Sequence, residues 1–168
     1  MLFRSIEDVS ELITALEREG ELKRVKTAVD SDLEIAEILR RVMYSDGPAV
    51  LFENVKGHEM PVLANAFGSI KRLRIALEMD DFTEIGQRIV DMTKMEVPSG
   101  FLNKMKKLPE LSKMGEVFPK LEKSGPVSEV IEKNPSFNKI PILKTWHKDA
   151  GKFITLGLIA TKHPETGV

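Results

Sequence analysis

Ser45-Asp46-Gly47-Pro48-Ala49-Val50-Leu51-Phe52 is the stretch that decides the fold. Its first four residues break a helix. Its last four form a continuous apolar run after the breaker, the pattern of a strand buried on both faces. Upstream, Leu33, Ile35, Ala36, Ile38, Leu39 and Val42 recur at helical spacing, and Asp30, Ser31 and Asp32 before them are helix-start residues. Before these, Glu21–Val29 alternates loosely and predicts a short strand with one wet face. Ile6, Val9, Leu12, Ile13 and Leu16 form the stripe of a first helix. Ser5 and Asp8 are spaced like a capping box at its start, and Gly20 is suited to stop it.

Downstream, Glu53–Met60 holds a turn and Pro61–Asn65 reads as a further strand. Helix, strand, helix, strand, strand is the order of an α/β layer domain. Helices are predicted over Ser69–Met79, Asp81–Met95 and, more weakly, Phe101–Lys113. From Phe118 the texture changes. Pro119, Gly125, Pro126 and Pro135 recur, and alternation replaces helical stripes. A domain boundary is expected near residues 115–125, dividing the chain into 1–118 and 119–168. The closing segment, from Pro141 to Leu158, reads as a strand leading toward a hairpin turn whose return strand is missing. The expectation is therefore an amino-terminal piece of a longer protein.

Hydrophobic residues make up 42% of the chain and charged residues 30%, a balance that suits a soluble globular protein rather than a disordered one. The formal net charge is -1, and no long block of like charges suggests a nucleic-acid arm. The densest basic cluster, Lys104, Lys106 and Lys107, reads as a solvated helix face. Absence of cysteine excludes disulfides, thiolate metal sites and cysteine nucleophiles within this span, and fits a reducing cytoplasm. The amino terminus lacks a secretory pattern, and no apolar run is long enough to span a bilayer.

The candidate chemistry is sparse. Glu7, Asp8, Glu11, Glu34 and Glu37 carry the spacing of wet helix faces rather than of a paired acid and base. His58 sits in a turn beside Glu59, with no second histidine at ligand spacing. His147 and His163 flank the final strand too far apart to share a ligand, and Asp149 two residues from His147 does not make a triad. Gly47, Gly57, Gly68 and Gly86 do not cluster as a phosphate cradle. Thr155 has two readings: a β-branched residue on a half-buried strand, or a hydroxyl facing a cofactor. Gly157, lacking a side chain, would let a flat ligand approach.

Several pieces resemble the UbiD family of prenylated-flavin-dependent decarboxylases, in order along nearly the whole chain. Gly20-Glu21-Leu22-Lys23-Arg24-Val25, Leu33–Ile38, Gly47–Gly57 and Met60–Gly68 are similar to its amino-terminal region. Ile140–Trp146 and Asp149–Gly157 are similar to the start of its flavin-binding domain. The resemblance implies an amino-terminal α/β domain followed by the first strands of a split β-barrel that holds prenylated FMN. It also implies reversible loss of CO2 from an unsaturated or aromatic acid, such as 3-polyprenyl-4-hydroxybenzoate or an anhydromevalonate phosphate. The flavin would act as electron sink. Mn2+, with K+ nearby, would bridge protein and flavin phosphate. A flavin prenyltransferase would supply the cofactor, and the full-length protein would be a cytoplasmic homo-oligomer.

The family's metal-binding Asn, its flavin-contacting Arg and its catalytic Glu would fall beyond Val168. Only Thr155 matches a cofactor-approaching position, no catalytic residue or metal ligand falls in this span, and the 168-residue chain alone is expected to be inactive. Motion about the 115–125 linker would gate the site. The alternatives are a stand-alone interaction or regulatory module, whose last strand would pair with another chain, and a plain split-barrel flavin reductase, which the long α/β preface disfavours.

Overall fold

The computed structural model describes residues 6, 8–79, 81–93, 125, 129–155, 157, 159 and 161–167. They divide into two compact units: Met1–Glu19 with Ser69–Pro135, and Gly20–Gly68 with Ser136–Val168. The fold is mixed α/β around a three-stranded sheet.

In the second unit β1 (Leu22–Val25), α2 (Glu34–Tyr44) and β2 (Ala49–Phe52) form a β-α-β crossover, and β3 (Val62–Ala64) follows. The sheet order is β1-β2-β3. β2 pairs parallel with β1, Leu22 opposite Ala49, and antiparallel with β3, Val50 opposite Ala64. All four β2 residues are buried, as the unbroken apolar run requires of a central strand. Val29, Ile35, Val50, Phe52 and Val55 form the core, with Ile38, Leu39 and Val42 of α2 packed on it. Arg24 and Glu53 pair at 2.7 Å at the sheet end.

The loop into β2 is tightly specified. A Cβ on Gly47 would lie 2.8 Å from Val42 Cγ1 and 3.0 Å from the Val42 carbonyl oxygen, so only glycine fits without a shift. Asn65, at φ 55, donates its side-chain amide to the carbonyls of Gly47 (3.2 Å) and Pro48 (3.0 Å). Asparagine is among the few residues that tolerate this backbone region.

In the first unit α1 (Val9–Arg18) packs along α3 (Ile70–Leu77), and Lys71 Nζ donates to the Glu19 carbonyl at 3.2 Å. Leu12 and Leu16 are buried as the helical stripe predicts, whereas Val9 is 61% exposed. Asp8 is itself the amino-terminal cap, accepting from the Glu11 N–H at 2.8 Å. Helix α1 thus starts later than the Ser5–Asp8 pairing implied, and Ser5 lies outside the described residues. Ser69 caps α3 by accepting from the Arg72 N–H. Helix α4 (Thr83–Thr93) begins after Asp81, which accepts from the Thr83 amide and hydroxyl at 2.9 and 2.7 Å. Those bonds, the hydroxyl's first, lower the Asp81 pKa. The expected helix over Phe101–Lys113 and its lysines lie outside the described residues, as does the 115–125 linker apart from Gly125.

Helix α2 also starts later than its helix-start residues suggested. Asp30, Ser31 and Asp32 precede it in a loop, and Leu33 occupies the cap position at φ 65, ψ -33 with no side-chain cap. The Glu34 N–H donates to the Asp32 carbonyl at 2.8 Å, closing a γ-turn of the rare, strained kind around Leu33. The neighbouring backbone holds it there: the Leu33 N–H donates to the Lys144 carbonyl at 3.0 Å, and the Lys144 N–H to the Ser31 carbonyl at 3.1 Å. Polar residues that would cap a helix in isolation here build a docking edge for a segment more than a hundred residues away in the chain.

Candidate functional site

The segment that carries Thr155 is anchored by that edge. Leu143 packs on the core, Lys144 bridges to Asp32, and Leu143 pairs antiparallel with Phe153 through an N–H to O=C bond of 3.1 Å. Between them a turn is closed by Asp149, whose Oδ2 accepts from the Trp146 N–H (2.9 Å) and the Thr145 hydroxyl (3.1 Å). Lys152 crosses to Ser31, donating from Nζ to Oγ at 3.0 Å, and Ser31 is only 2% exposed. Two bridge pairings and one half-buried polar contact thus fix residues 143–153.

Of the expected strand through Phe153–Leu158, the described residues show only the bridge at Phe153. Thr155 lies in a turn and is exposed, while Leu156 and Leu158 are outside the described residues. A single bridge has no ladder to continue, because no further described strand runs beside it. Thr155 therefore lies exposed, three residues past the Lys152 anchor. A Cβ on Gly157 would meet only Ile154 Cγ2 at 3.5 Å, an ordinary contact, so no close backbone approach occurs there. The described residues form no phosphate cradle, and on their own they do not fit the whole flavin.

The histidines are dispersed. His163 closes a turn, its Nδ1 accepting from the Glu165 and Thr166 N–H groups at 3.3 and 3.2 Å. His147 lies against Trp146 with ring centroids 4.8 Å apart, and Asp149 serves the turn rather than this imidazole. The His58 Nδ1 is buried without a hydrogen-bond partner. Among the described residues no three His, Asp or Glu side chains converge as a metal site. Glu37 accepts a fork from Arg40 (2.7 and 2.9 Å) and a bond from Arg41 (2.7 Å). Those bonds, Arg40's foremost, lower its pKa from 4.5 to about 2 and raise that of Arg40. A carboxylate held so firmly ionised is no general acid near neutrality, in keeping with a wet helix face. No helix among the described residues is long and apolar enough to cross a membrane.

Sequence reasoning missed Ser31 and Lys152. They meet across 121 positions, and no local pattern joins them.

This architecture matches a known family in two consecutive parts. The model described as 3-octaprenyl-4-hydroxybenzoate carboxy-lyase N-terminal domain matches residues 13–89. That for the Rift-related domain of the same carboxy-lyase matches residues 120–168. The chain belongs to the UbiD family. An uncharacterized protein from Aquifex aeolicus is 46% identical over 164 residues, which is 96% of this chain and 34% of that protein. The chain spans about a third of the length of the curated relatives it matches. Among solved structures, the UbiD-class enzyme HmfF from Pelotomaculum thermopropionicum in complex with FMN is 26% identical, with a TM-score of 0.57. That match covers 95% of this chain and 32% of HmfF. Vanillic acid decarboxylase from Sedimentibacter hydroxybenzoicus in its closed form is 25% identical, with a TM-score of 0.63. Here 89% of this chain and 29% of that one are covered. The mixed α/β fold expected from the sequence is the fold these UbiD structures share with it.

Proposed function

We propose that this UbiD-family chain is the amino-terminal part of a carboxy-lyase that removes CO2 from an unsaturated or aromatic carboxylic acid with the help of prenylated FMN. The observation that carries the reading is the order of the two family matches, the second covering the anchored segment that presents Thr155. The FMN complex of HmfF and the decarboxylase from Sedimentibacter hydroxybenzoicus support the flavin and the reaction class. When bound, the flavin supplies the electron sink. This chain's own contribution is positional. The Ser31–Lys152 contact and the Lys144 pairing hold residues 143–153, and Thr155 just beyond them offers a hydroxyl to the cofactor.

On this reading residues 1–118 form the amino-terminal domain and 119–168 begin the split-barrel flavin domain. Mn2+ and K+ would be held by residues outside this span. The protein would work in the cytoplasm as a homo-oligomer, charged by a flavin prenyltransferase, and the 168-residue chain alone would be inactive. The test compares this chain with a product of the same reading frame extended to the length of its relatives, each co-expressed with a flavin prenyltransferase. The longer product should hold modified flavin and release CO2 from a panel of aryl and unsaturated acids. Thr155→Ala in it should weaken flavin retention by roughly two- to tenfold, the worth of one hydrogen bond. A flavin-loaded longer product inert toward the whole panel would refute the carboxy-lyase reading. Stoichiometric flavin on the 168-residue chain would refute its inactivity. A frame that ends at Val168, with the chain a discrete species, would favour the stand-alone module instead.

A further inference from the structure

Between the turn at His58 and the segment 137–154 lies an open hollow of about 450 Å³. We propose that it is a binding site for a small organic anion with an apolar body. The proposal goes beyond the decarboxylase reading and does not rest on it, since it needs no flavin, although Lys152 also anchors the segment that carries Thr155.

Three features define the ligand. The first is charge. Lys152 lines the hollow, and its ammonium is held at 3.0 Å from the Oγ of Ser31, a side chain almost wholly buried. An ammonium has three donors, and this contact uses one. Among the described residues no carboxylate pairs with Lys152. Lys152 is itself exposed, but its bond to Ser31 holds the ammonium beside an apolar wall with no counter-charge, an arrangement that favours an anion.

The second is unused polar capacity. The His58 ring also lines the hollow, its Nδ1 is buried with no partner, and the ring makes no hydrogen bond among the described residues. Buried polar atoms are almost always satisfied, so an exception needs an explanation. A small rotation of the ring onto a ligand head group would satisfy it. Asn138 adds a side-chain amide to the same rim. The third is the wall. Phe137, Ile140, Ile142, Phe153 and Ile154 line the remainder, and all but the half-buried Ile142 are exposed. Covering them removes apolar surface from water, which an inorganic anion cannot do. Few converging polar groups in an apolar concavity of this size are the usual make-up of a small-molecule site. A carboxylate or a phosphate monoester on a short aliphatic or aromatic body meets all three demands.

The sequence separates these groups. His58 follows the core residue Val55 in one turn, and Lys152 belongs to the anchored hairpin. The Ser31–Lys152 bond that fixes the hairpin is also what aims the cation.

The test is calorimetric titration of the 168-residue chain with hexanoate, hexyl phosphate and neutral 1-hexanol. NMR shift changes locate the binding. Saturable binding of at least one anion is expected, with shifts at residues 137–154, and the tighter of the two names the head group. Hexanol should bind roughly tenfold more weakly or worse, since a charge-assisted bond is lost. Lys152→Met should weaken the anion by a similar factor, and His58→Phe by a few-fold. Circular dichroism confirms that each variant is folded. If Lys152→Met is not folded, His58→Phe and the hexanol comparison carry the test. Equal binding of hexanol and hexanoate would overturn the proposal. So would unchanged affinity in a folded Lys152→Met, or no saturation by either anion at about 10 mM, beyond the millimolar class.

Discussion

Asn65 offers the sharpest test of how the second unit is held. Its amide donates two hydrogen bonds, to the carbonyls of Gly47 and Pro48, and its backbone sits at φ 55. Alanine removes both bonds, at about 1 kcal/mol each, and must hold a left-handed backbone that costs a Cβ-bearing residue roughly 1–2 kcal/mol. Asn65→Ala should therefore cost about 3 kcal/mol. Glycine loses the same bonds and relaxes the backbone, but it gives back about 0.5–1 kcal/mol in unfolded-chain entropy. Asn65→Gly should accordingly be more stable than Asn65→Ala by about 0.5–1 kcal/mol. Aspartate tolerates the backbone but sets carboxylate oxygens against two carbonyls. It should be about as damaging as alanine at neutral pH and partly rescued in acid, where a protonated carboxyl can donate one bond. The unit spans about 80 residues, for which a total stability of about 4–12 kcal/mol is ordinary. With a urea slope of about 2 kcal/mol/M, the alanine variant's midpoint should fall by about 1.5 M. Far-UV circular dichroism follows the whole chain, and the single tryptophan, Trp146, reports from the same unit as Asn65. A glycine variant no more stable than alanine would refute the backbone argument. An aspartate variant as stable as wild type would refute the hydrogen-bond argument.

Three further outcomes follow. Phe52→Ala, at a fully buried site in β2, should cost about 3–5 kcal/mol in the same urea assay, the range for a large core truncation. Ser69→Ala removes the cap that accepts from the Arg72 N–H and should cost about 1 kcal/mol, read by thermal unfolding, with Ser69→Asp retaining stability. Glu37 has its folded-state pKa lowered from 4.5 to about 2, so its ionised form favours the folded state. Its contribution is present above 4.5 and lost as pH falls toward 2. The difference in urea midpoint between wild type and Glu37→Gln should close across that window and shrink in high salt. It should also be small, because the ion pairs are exposed.

What the sequence determined by itself was local. The run Ala49–Phe52 could only be a central strand, since four apolar side chains in a row leave neither face for water. The stripe Ile35, Ile38, Leu39, Val42 marks the inner face of a helix, and Gly20 is suited to end one, as its φ of 70 after α1 bears out. Ordered family-like pieces further disclosed the UbiD relationship, although nothing in their spacing exposes a working site. Tertiary structure decided what depends on distant partners. Asp30, Ser31 and Asp32 have the chemistry of a helix cap, yet the strand pairing with Lys144 outcompetes that local bond, and α2 begins at Glu34. Residues around Phe153 have the alternation of a strand, yet a strand persists only where a neighbour supplies the ladder, and Leu143 supplies one bridge. The meeting of Ser31 with Lys152, which aims a cation into the hollow beside His58, is written in no stretch of sequence. Side-chain spacing encodes periodicity along one element, whereas the closure of a loop across 121 residues is set by the packing of the whole unit.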